Sequence, residues 1–319
     1  MLRVAIGILA TVLATGAFAQ YPSRPLHLVV GFAPGGAADI ISRAMSEPLA
    51  RAFGQPIIVD NKPGAGSSLA AELVAKSAPD GYTVMIASPS AVFVNPIIMK
   101  NVGYDTARSF APITLVTTSP LVVAVHPSVQ VRTLRELIAE AKKHPGKLNF
   151  ATSGNGSAPH LAAVHFMRLA GVEMVHVPYK GGGPAVQALL AGDTQLSFAT
   201  PPSVLPLVQA GRLRALAITS RNGSALVPGV PGMAEAGLPD YEISFWYGFF
   251  VPTGTPREIV QRLHQETAKA LALPEVGKSL GREGTETAGS RSPDEFAAFI
   301  AEDAKLWARL VKDSGAKAD

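Results

Sequence analysis

Residues 28–43 read LVVGFAPGGAADIISR, which is an apolar, β-branched run followed by a PGG turn and then by a helical pattern. An apolar run that does not alternate with polar residues is typical of a strand covered on both faces. The PGG turn delays the helix, which we expect to begin near Ala37 or Ala38. The same order of strand, glycine-rich turn and helix returns at residues 150–166 and 175–190. The repeated unit predicts an α/β fold.

Short apolar runs alternate with longer helical segments along most of the chain. The motif S/T-x-x-E, which predicts a capped helix start, occurs at Thr133, Thr255 and Ser292. Eight of the apolar runs predict strands. These runs are Leu26–Val30, Ile57–Val59, Thr83–Ala87, Leu121–Val125, Leu148–Ala151, Met174–Val177, Gln195–Phe198 and Leu213–Ile218.

The N-terminus has the pattern of a secretory signal peptide. Arg3 precedes an apolar run at residues 4–14, and the triplet Ala-Phe-Ala ends at Ala19, where we expect cleavage. The run is short for a transmembrane helix, although an uncleaved membrane anchor is the alternative interpretation. After cleavage, about 300 residues remain, which at the usual 100–200 residues per domain predicts two domains. We therefore expect an exported, soluble protein.

Charge and residue composition exclude several classes of function. The formal net charge is only +4, and no basic helix with interleaved aromatic residues is present, so nucleic acid is not an expected partner. The chain has no cysteine, which excludes disulfides, cysteine-ligated zinc and thiol nucleophiles. The glycine-rich segments at 63–67 and 177–190 match neither G-x-G-x-x-G nor the phosphate-binding P-loop. We expect no cofactor and no metal.

The turn after the first strand is a candidate anion site, because a helix start follows it directly within residues 32–45. Free N–H groups at a helix start, with the positive end of the helix dipole, bind anions without a cationic side chain. Asp39 lies in the first turn, where its charge complements the dipole. An ordinary capped helix is the alternative, because such turns occur in many α/β proteins.

A second candidate loop lies within residues 151–167, where Ser153, Asn155 and Ser157 alternate with glycines. Glycines allow a close approach to a guest, and the hydroxyls and the amide can bind it. Ser157 and His160 also suggest a nucleophile and a base, but no particular acid orients the imidazole and the G-x-S-x-G elbow is absent. The alternative is a capped helix with an ordinary histidine.

Several long motifs occur in one order along nearly the whole chain after the N-terminal segment. Together they resemble the Bug receptors, the TctC-like periplasmic solute-binding proteins of tripartite tricarboxylate transporters. The motifs are YPSRPLHLVVGFAPGGAAD, VDNKPGAGSSLAAELVAKSAPDGYT, PGKLNFATSGNGSAPHLA, VHVPYKGGGPAVQALLAGD, AGRLRALAITS, GMAEAGLPDYE and WYGFFVPTGTP.

The resemblance implies a two-lobed periplasmic-binding-protein fold of type II, a Venus flytrap with a ligand cleft between the lobes. Residues 1–19 would be the signal peptide. Residues 20–121 and 247–319 would form the first lobe, and residues 122–246 the second. The strands at 122–125 and 245–250 would cross between the lobes. We expect a periplasmic monomer that carries out no chemistry and delivers a small carboxylate to the membrane components of the transporter.

The resemblance also implies a binding site in which the loops around Gly35 and Ser153 face each other across the cleft. Such receptors often have an acidic residue where this chain has Ala199, and a carboxylate there could pair with a ligand amine. We therefore expect a non-aminated acid, aliphatic or aromatic, as the ligand. Signalling through a sensor kinase and hydrolysis by Ser157 and His160 are the alternatives. The implied ligand-binding residues are Phe32, Gly35, Gly36, Asp39, Ser88, Asn95, Ser153, Asn155, Ser157, His160, Tyr179, Gly181 and Ala199.

Overall fold

The computed structural model describes residues 21–99 and 101–314. The predicted signal peptide and its cleavage after Ala19 therefore lie outside the described residues. The first apolar run forms a strand, and the helix after the PGG turn begins at Ala37, as predicted. Gly36 precedes that helix in an extended conformation, and Gly54 ends it with a left-handed φ of 65°. Glycine tolerates this φ because it has no Cβ.

The chain forms eleven strands within the described residues. They are β1 (Leu26–Val30), β2 (Ile57–Asn61), β3 (Thr83–Ala87), β4 (Phe110–Ser119), β5 (Val122–Val125), β6 (Asn149–Thr152), β7 (Val175–Pro178), β8 (Leu196–Ala199), β9 (Arg214–Ile218), β10 (Phe245–Pro252) and β11 (Glu286–Thr287).

Eleven helices complete the described architecture. They are α1 (Ala37–Phe53), α2 (Ser68–Ala75), α3 (Asn95–Ile98), α4 (Thr106–Ser109), α5 (Leu134–Lys143), α6 (Ala158–Ala170), α7 (Gly182–Ala191), α8 (Pro201–Gln209), α9 (Arg257–Leu271), α10 (Pro274–Arg282) and α11 (Pro293–Ser314). A 3-10 turn at Ala65–Ser67 precedes α2, and a π-helical turn at Ser90–Val94 precedes α3.

The strands form two separate sheets. The first has the order β11-β4-β10-β3-β1-β2, and the second has the order β7-β6-β8-β5-β9. In each sheet a parallel core is joined to antiparallel strands: β1 is parallel to β2 and β3, and β6 is parallel to β7 and β8. This is the two-sheet α/β architecture that was predicted. The carboxyl ends of the parallel strands carry the glycine-rich turns.

The chain passes from one sheet to the other at two places. Thr219 is hydrogen-bonded to both connecting segments. Its hydroxyl accepts a hydrogen bond from the N–H of Leu121 (2.7 Å) and donates one to the carbonyl of Ile243 (2.8 Å). Its backbone bonds to the same two residues. Each described strand belongs to one sheet only, so neither β5 nor β10 crosses between the sheets. The segments that connect the two sheets are residues 120–121 and 219–244. The division into lobes at 121/122 and 246/247 stays a prediction.

Two details differ from the sequence prediction. Strand β4 was missed, because Pro112 and the polar run at 117–119 interrupt its apolar pattern. The prediction of a capping box at Thr255 was wrong. Pro256 takes the N-cap position of α9, and the hydroxyl of Thr255 donates to the Pro252 carbonyl instead (2.7 Å). Within residues 21–99 and 101–314, no helix is long and apolar enough to cross a membrane.

Candidate ligand-binding site

A small cavity lies between the two sheets. The N-terminal ends of four helices, α1, α6, α7 and α8, border it. None of the described residues that line it carries a charge. The lining residues are Phe32, Gly36, Ala37, Ala38, Ser90, Ser153, Pro159, Gly182, Ala185, Val186, Ser197, Phe198, Ala199, Thr200, Phe245 and Tyr247.

The electrostatics of this cavity favour an anion. Each helix N-terminus presents backbone N–H groups and the positive end of a helix dipole. Because the four ends border one cavity, their partial charges add there, and a carboxylate can be bound without an arginine or a lysine. The aromatic side chains of Phe32, Phe198 and Phe245 form apolar walls, which suit the hydrocarbon part of an organic acid.

In the first-lobe turn, the backbone is hydrogen-bonded to a side-chain carboxylate of the same segment, that of Asp39. Buried Asp39 accepts a hydrogen bond from the N–H of Gly35 (3.0 Å) and pairs with Arg43 (2.9 Å). Burial raises the pKa of the Asp39 carboxyl, but the hydrogen bonds from Arg43 and Gly35 outweigh burial and hold it below its usual value. Asp39 and Gly35 therefore fix the turn, whereas Gly36 and the first residues of α1 line the cavity.

The other two predicted first-lobe partners lie beside the cavity and do not line it. The side-chain amide of Asn95 donates to the carbonyl of Gly66 (2.8 Å), which fastens the turn at 65–67. Ser88 is buried, and its hydroxyl has no hydrogen-bond partner within the described part of the chain. Ser90, two residues further on, lines the cavity instead.

In the second lobe the structure separates the three polar residues that the sequence grouped. Ser153 lines the cavity. Ser157 is the N-cap of α6, and its hydroxyl accepts the backbone N–H of His160 at 3.3 Å. The carbonyl of Asn155 faces Gly66 of the first-lobe turn: a Cβ on Gly66 would lie 3.0 Å from it. Only the first of the three lines the cavity.

The lobes meet through their glycine-rich turns. The N–H of Ala33 donates to the carbonyl of Lys180 (3.0 Å), and the N–H of Ala158 donates to the hydroxyl of Ser90 (2.8 Å). A Cβ on Gly181 would lie 2.9 Å from the nitrogen of Ala33. Gly181 therefore lies in the contact between the two lobes, where a side chain would not fit, and it does not line the cavity.

Tyr179 is placed beside the second-lobe loop by its backbone. Its N–H donates to the carbonyl of Thr152 (3.0 Å), and its own carbonyl would lie 3.3 Å from a Cβ on Gly154. The ring is absent from the cavity lining. Of the thirteen predicted site residues, the cavity is lined by Phe32, Gly36, Ser153 and Ala199.

Comparisons with known proteins agree with this architecture. The model of the tripartite tricarboxylate transporter family receptor matches residues 41–316. The chain belongs to this receptor family. The periplasmic binding protein BugD is 30% identical, with a TM-score of 0.90 over 94% of this chain and 100% of that one.

Two further structures of similar proteins contain a bound acid. Rpa4515 from R. palustris, solved with adipate, is 33% identical, with a TM-score of 0.90 over 92% of this chain and 98% of that one. MatC from Rhodopseudomonas palustris, solved with malate, is 31% identical, with a TM-score of 0.87 over 91% of this chain and 100% of that one. The family is one of periplasmic solute-binding receptors, and these two members of similar structure were solved with a carboxylate.

The receptor family and the geometry both speak against the Ser157–His160 hydrolase. The hydroxyl of Ser157 caps α6, and Nδ1 of His160 accepts the N–H of Gly156 at 3.3 Å. The two side chains therefore bond to the backbone of their own loop, which is the arrangement of a capped helix with a structural histidine.

Tyr247 lines the cavity, but the sequence did not indicate it as a candidate site residue. The apolar residues around it predicted a strand of the hinge region. The ring of Tyr247 lines the cavity on β10. Burial raises the pKa of the Tyr247 hydroxyl, and a hydrogen bond with the backbone of Ala38 opposes that shift. The hydroxyl is therefore protonated at neutral pH and lies beside the N-terminus of α1.

Two serine substitutions separate binding from helix capping in this receptor. Ser153→Ala removes a hydroxyl from the cavity, so we expect about a tenfold loss of ligand affinity with little change in melting temperature. Ser157→Ala removes the cap of α6, so we expect a loss of about 1 kcal/mol in stability. Calorimetry with adipate and thermal unfolding of both variants measure the two effects. Unchanged affinity in Ser153→Ala would place the ligand elsewhere.

Proposed function

We propose that this protein captures a small non-aminated carboxylate, aliphatic or aromatic, in the periplasm and delivers it to the membrane components of a tripartite tricarboxylate transporter. The observation that carries the proposal is the cavity at which four helix N-termini meet without any charged side chain. A site built from helix termini stabilises negative charge and does not select a cation.

A dicarboxylate would place one carboxylate against each lobe. One carboxylate would accept hydrogen bonds from the backbone at Gly36 and Ala37 and from the hydroxyl of Tyr247. The other would lie near Ser153, in the loop before α6, and near Thr200, the N-cap of α8. Hydrogen bonds to a charged group contribute about 1.5–3 kcal/mol each, so a few of them suffice for micromolar affinity, which corresponds to about 8 kcal/mol. The adipate and malate in the related structures are acids of this kind.

The residue at the end of β8 argues against amino acids as ligands. Ala199 is buried and lines the cavity. An α-ammonium group placed there would lose its hydration without meeting a carboxylate, and an unpaired buried charge is costly. A ligand without an amine has no such penalty.

A thermal-shift screen of the mature protein tests the ligand class. The panel contains malate, adipate, benzoate and phthalate on one side and free aspartate and glutamate on the other. A ligand present at a hundred times its Kd stabilises the folded state by about 2.7 kcal/mol, which raises the melting temperature by several degrees. We expect shifts among the non-aminated acids. Shifts by the amino acids alone would overturn the assignment.

A deletion strain tests delivery to the transporter. We expect the strain to lose uptake of whichever acid stabilises the protein and to regain it when the gene is restored. Normal uptake in the deletion strain, together with a lost transcriptional response to the same acid, would show that the receptor serves signalling and not transport.

A further inference from the structure

Two imidazoles are stacked directly beneath the second-lobe ligand loop, which we define as residues 152–157. The rings of His160 on α6 and His176 on β7 lie 3.9 Å apart with an angle of 10° between their planes. The ring of Phe150 packs against both imidazoles, with its centroid 5.0 Å from that of His176 and 6.4 Å from that of His160. None of the three rings is part of the cavity lining.

The stack is hydrogen-bonded to the ligand loop at two points. Nε2 of His176 and the hydroxyl of Thr152 are 2.6 Å apart, and the same hydroxyl accepts the N–H of Gly154 at 3.2 Å. Nδ1 of His160 accepts the N–H of Gly156 at 3.3 Å. The two imidazoles therefore hold the loop on either side of Ser153 and Asn155, which face the ligand cavity and the first lobe.

We propose that His160 and His176 are positioning residues that hold the ligand loop in its binding conformation, and that this requires the neutral imidazole of His160. The inference rests on the proposed function, because it assigns a role to the loop that contacts the acid. Neither histidine touches the ligand in this account.

The contact of His160 with the loop requires the neutral imidazole. A protonated His160 carries a hydrogen on Nδ1 and cannot accept the N–H of Gly156. Burial lowers the pKa of His160 to about 4, and burial together with the charge of His160 lowers the pKa of His176 to about 3. Two imidazolium rings 3.9 Å apart would also repel each other.

The hydrogen-bond and ring contacts of the pair within the described part of the chain are with uncharged groups. Phe150 and Thr152 of β6 contact it in the second lobe, and Asn95 and Ile98 of α3 approach Gly156 from the first lobe. The charged residues Asp303 and Arg309 of α11 lie beside His165, further along α6. Each histidine is therefore the main titratable neighbour of the other.

The expected direction of the pH effect follows from the lowered pKa values. An imidazole free in water titrates near pH 6.5, whereas these two stay neutral down to about pH 4 while the loop is in place. The pair therefore stabilises the bound conformation of the loop fully above about pH 6.5, and this stabilisation is lost as the pH falls towards 4. Loop order and ligand affinity should decrease together in this range.

The test compares wild type with His160→Gln, in which an amide oxygen can accept the N–H of Gly156 but does not titrate. Adipate affinity is measured by calorimetry from pH 7.5 to pH 4, and the ratio of the two Kd values cancels the titration of adipate itself. We expect similar Kd values at pH 7.5 and a ratio that moves about tenfold in favour of the variant at pH 4. His144→Gln, an exposed histidine of the same lobe, is the matched control and should follow wild type.

Amide hydrogen exchange of residues 152–157 without ligand gives an independent readout. We expect protection of Gly154 and Gly156 to fall with pH in wild type and in the control, and to fall less in His160→Gln, where only His176 still titrates. A constant Kd ratio with constant protection would overturn the positioning role. Failure of malate, adipate, benzoate and phthalate alike to bind wild type at pH 7.5 would contradict the proposed ligand class, and the exchange measurement would still decide the role of the histidines.

Discussion

Gly183→Ala is expected to weaken ligand binding at least about 100-fold, or about 2.7 kcal/mol, while the unliganded protein remains folded. A Cβ on Gly183 would lie 2.6 Å from the carbonyl oxygen of Pro34 and 3.1 Å from the carbonyl carbon of Gly35. Both atoms are backbone of the opposite lobe and cannot rotate away. The methyl group therefore blocks closure of the cleft, and an open cleft leaves the acid in water.

The substitution acts on closure and not on folding, because Gly183 lies in the first turn of α7 and has an ordinary helical position. Alanine is a better helix former than glycine by about 1 kcal/mol, so the second lobe itself is not weakened. Gly277→Ala on α10 is the matched control, since no atom lies within 4 Å of the added Cβ. Calorimetry with adipate measures both variants. Wild-type affinity in Gly183→Ala would show that binding does not need the closed cleft.

Ala199→Asp is expected to reduce the affinity for adipate by about 100-fold or more. The new carboxylate would stand in the cavity, where Ala199 is buried, and would repel a bound acid through a medium of low dielectric constant. The same charge could pair with an α-ammonium group, so binding of free aspartate should become measurable. Competition calorimetry with the two ligands measures the change of specificity.

Ala199→Asn separates charge from size, because it adds a side chain of the same shape without a charge. We expect it to cost about tenfold in adipate affinity and to gain no affinity for aspartate. Equal losses in the two variants would mean that steric filling of the cavity accounts for the effect. In that case the preference for non-aminated acids would have another origin.

The strands and the helix starts could be predicted because each depends on a local pattern. Leu26–Val30 and Thr83–Ala87 form strands with the predicted bounds, since a continuous apolar run buried on both faces is visible in the sequence itself. Strand β4 was missed because its apolar pattern is interrupted, and its partner β10 lies more than 100 residues further along the chain. Strand β11 was missed because two residues are too few to show a pattern, and its partner β4 is equally distant in sequence.

The turns that border the cavity could be predicted from the sequence, but not which residues of those turns line it. The turns around Gly36 and Ser153 border the cavity, but composition could not show that Gly181 serves contact between the lobes. That distinction depends on distances across the cleft. Tyr247 was missed as a site residue because an aromatic residue in an apolar strand is usually core. The stacking of His160 on His176 depends on the packing of α6 on the second sheet, which no spacing in the sequence reveals.

A crystal structure of the mature protein grown with adipate tests the central claim most directly. The claim is that the protein holds an unmodified carboxylate between helix N-termini of the two lobes. We expect one intact adipate in the cavity, with one carboxylate at the backbone of Gly36 and Ala37 and the other near Ser153. Adipate bound outside this cavity, or bound with its carboxylates turned to the aromatic walls, would contradict the account.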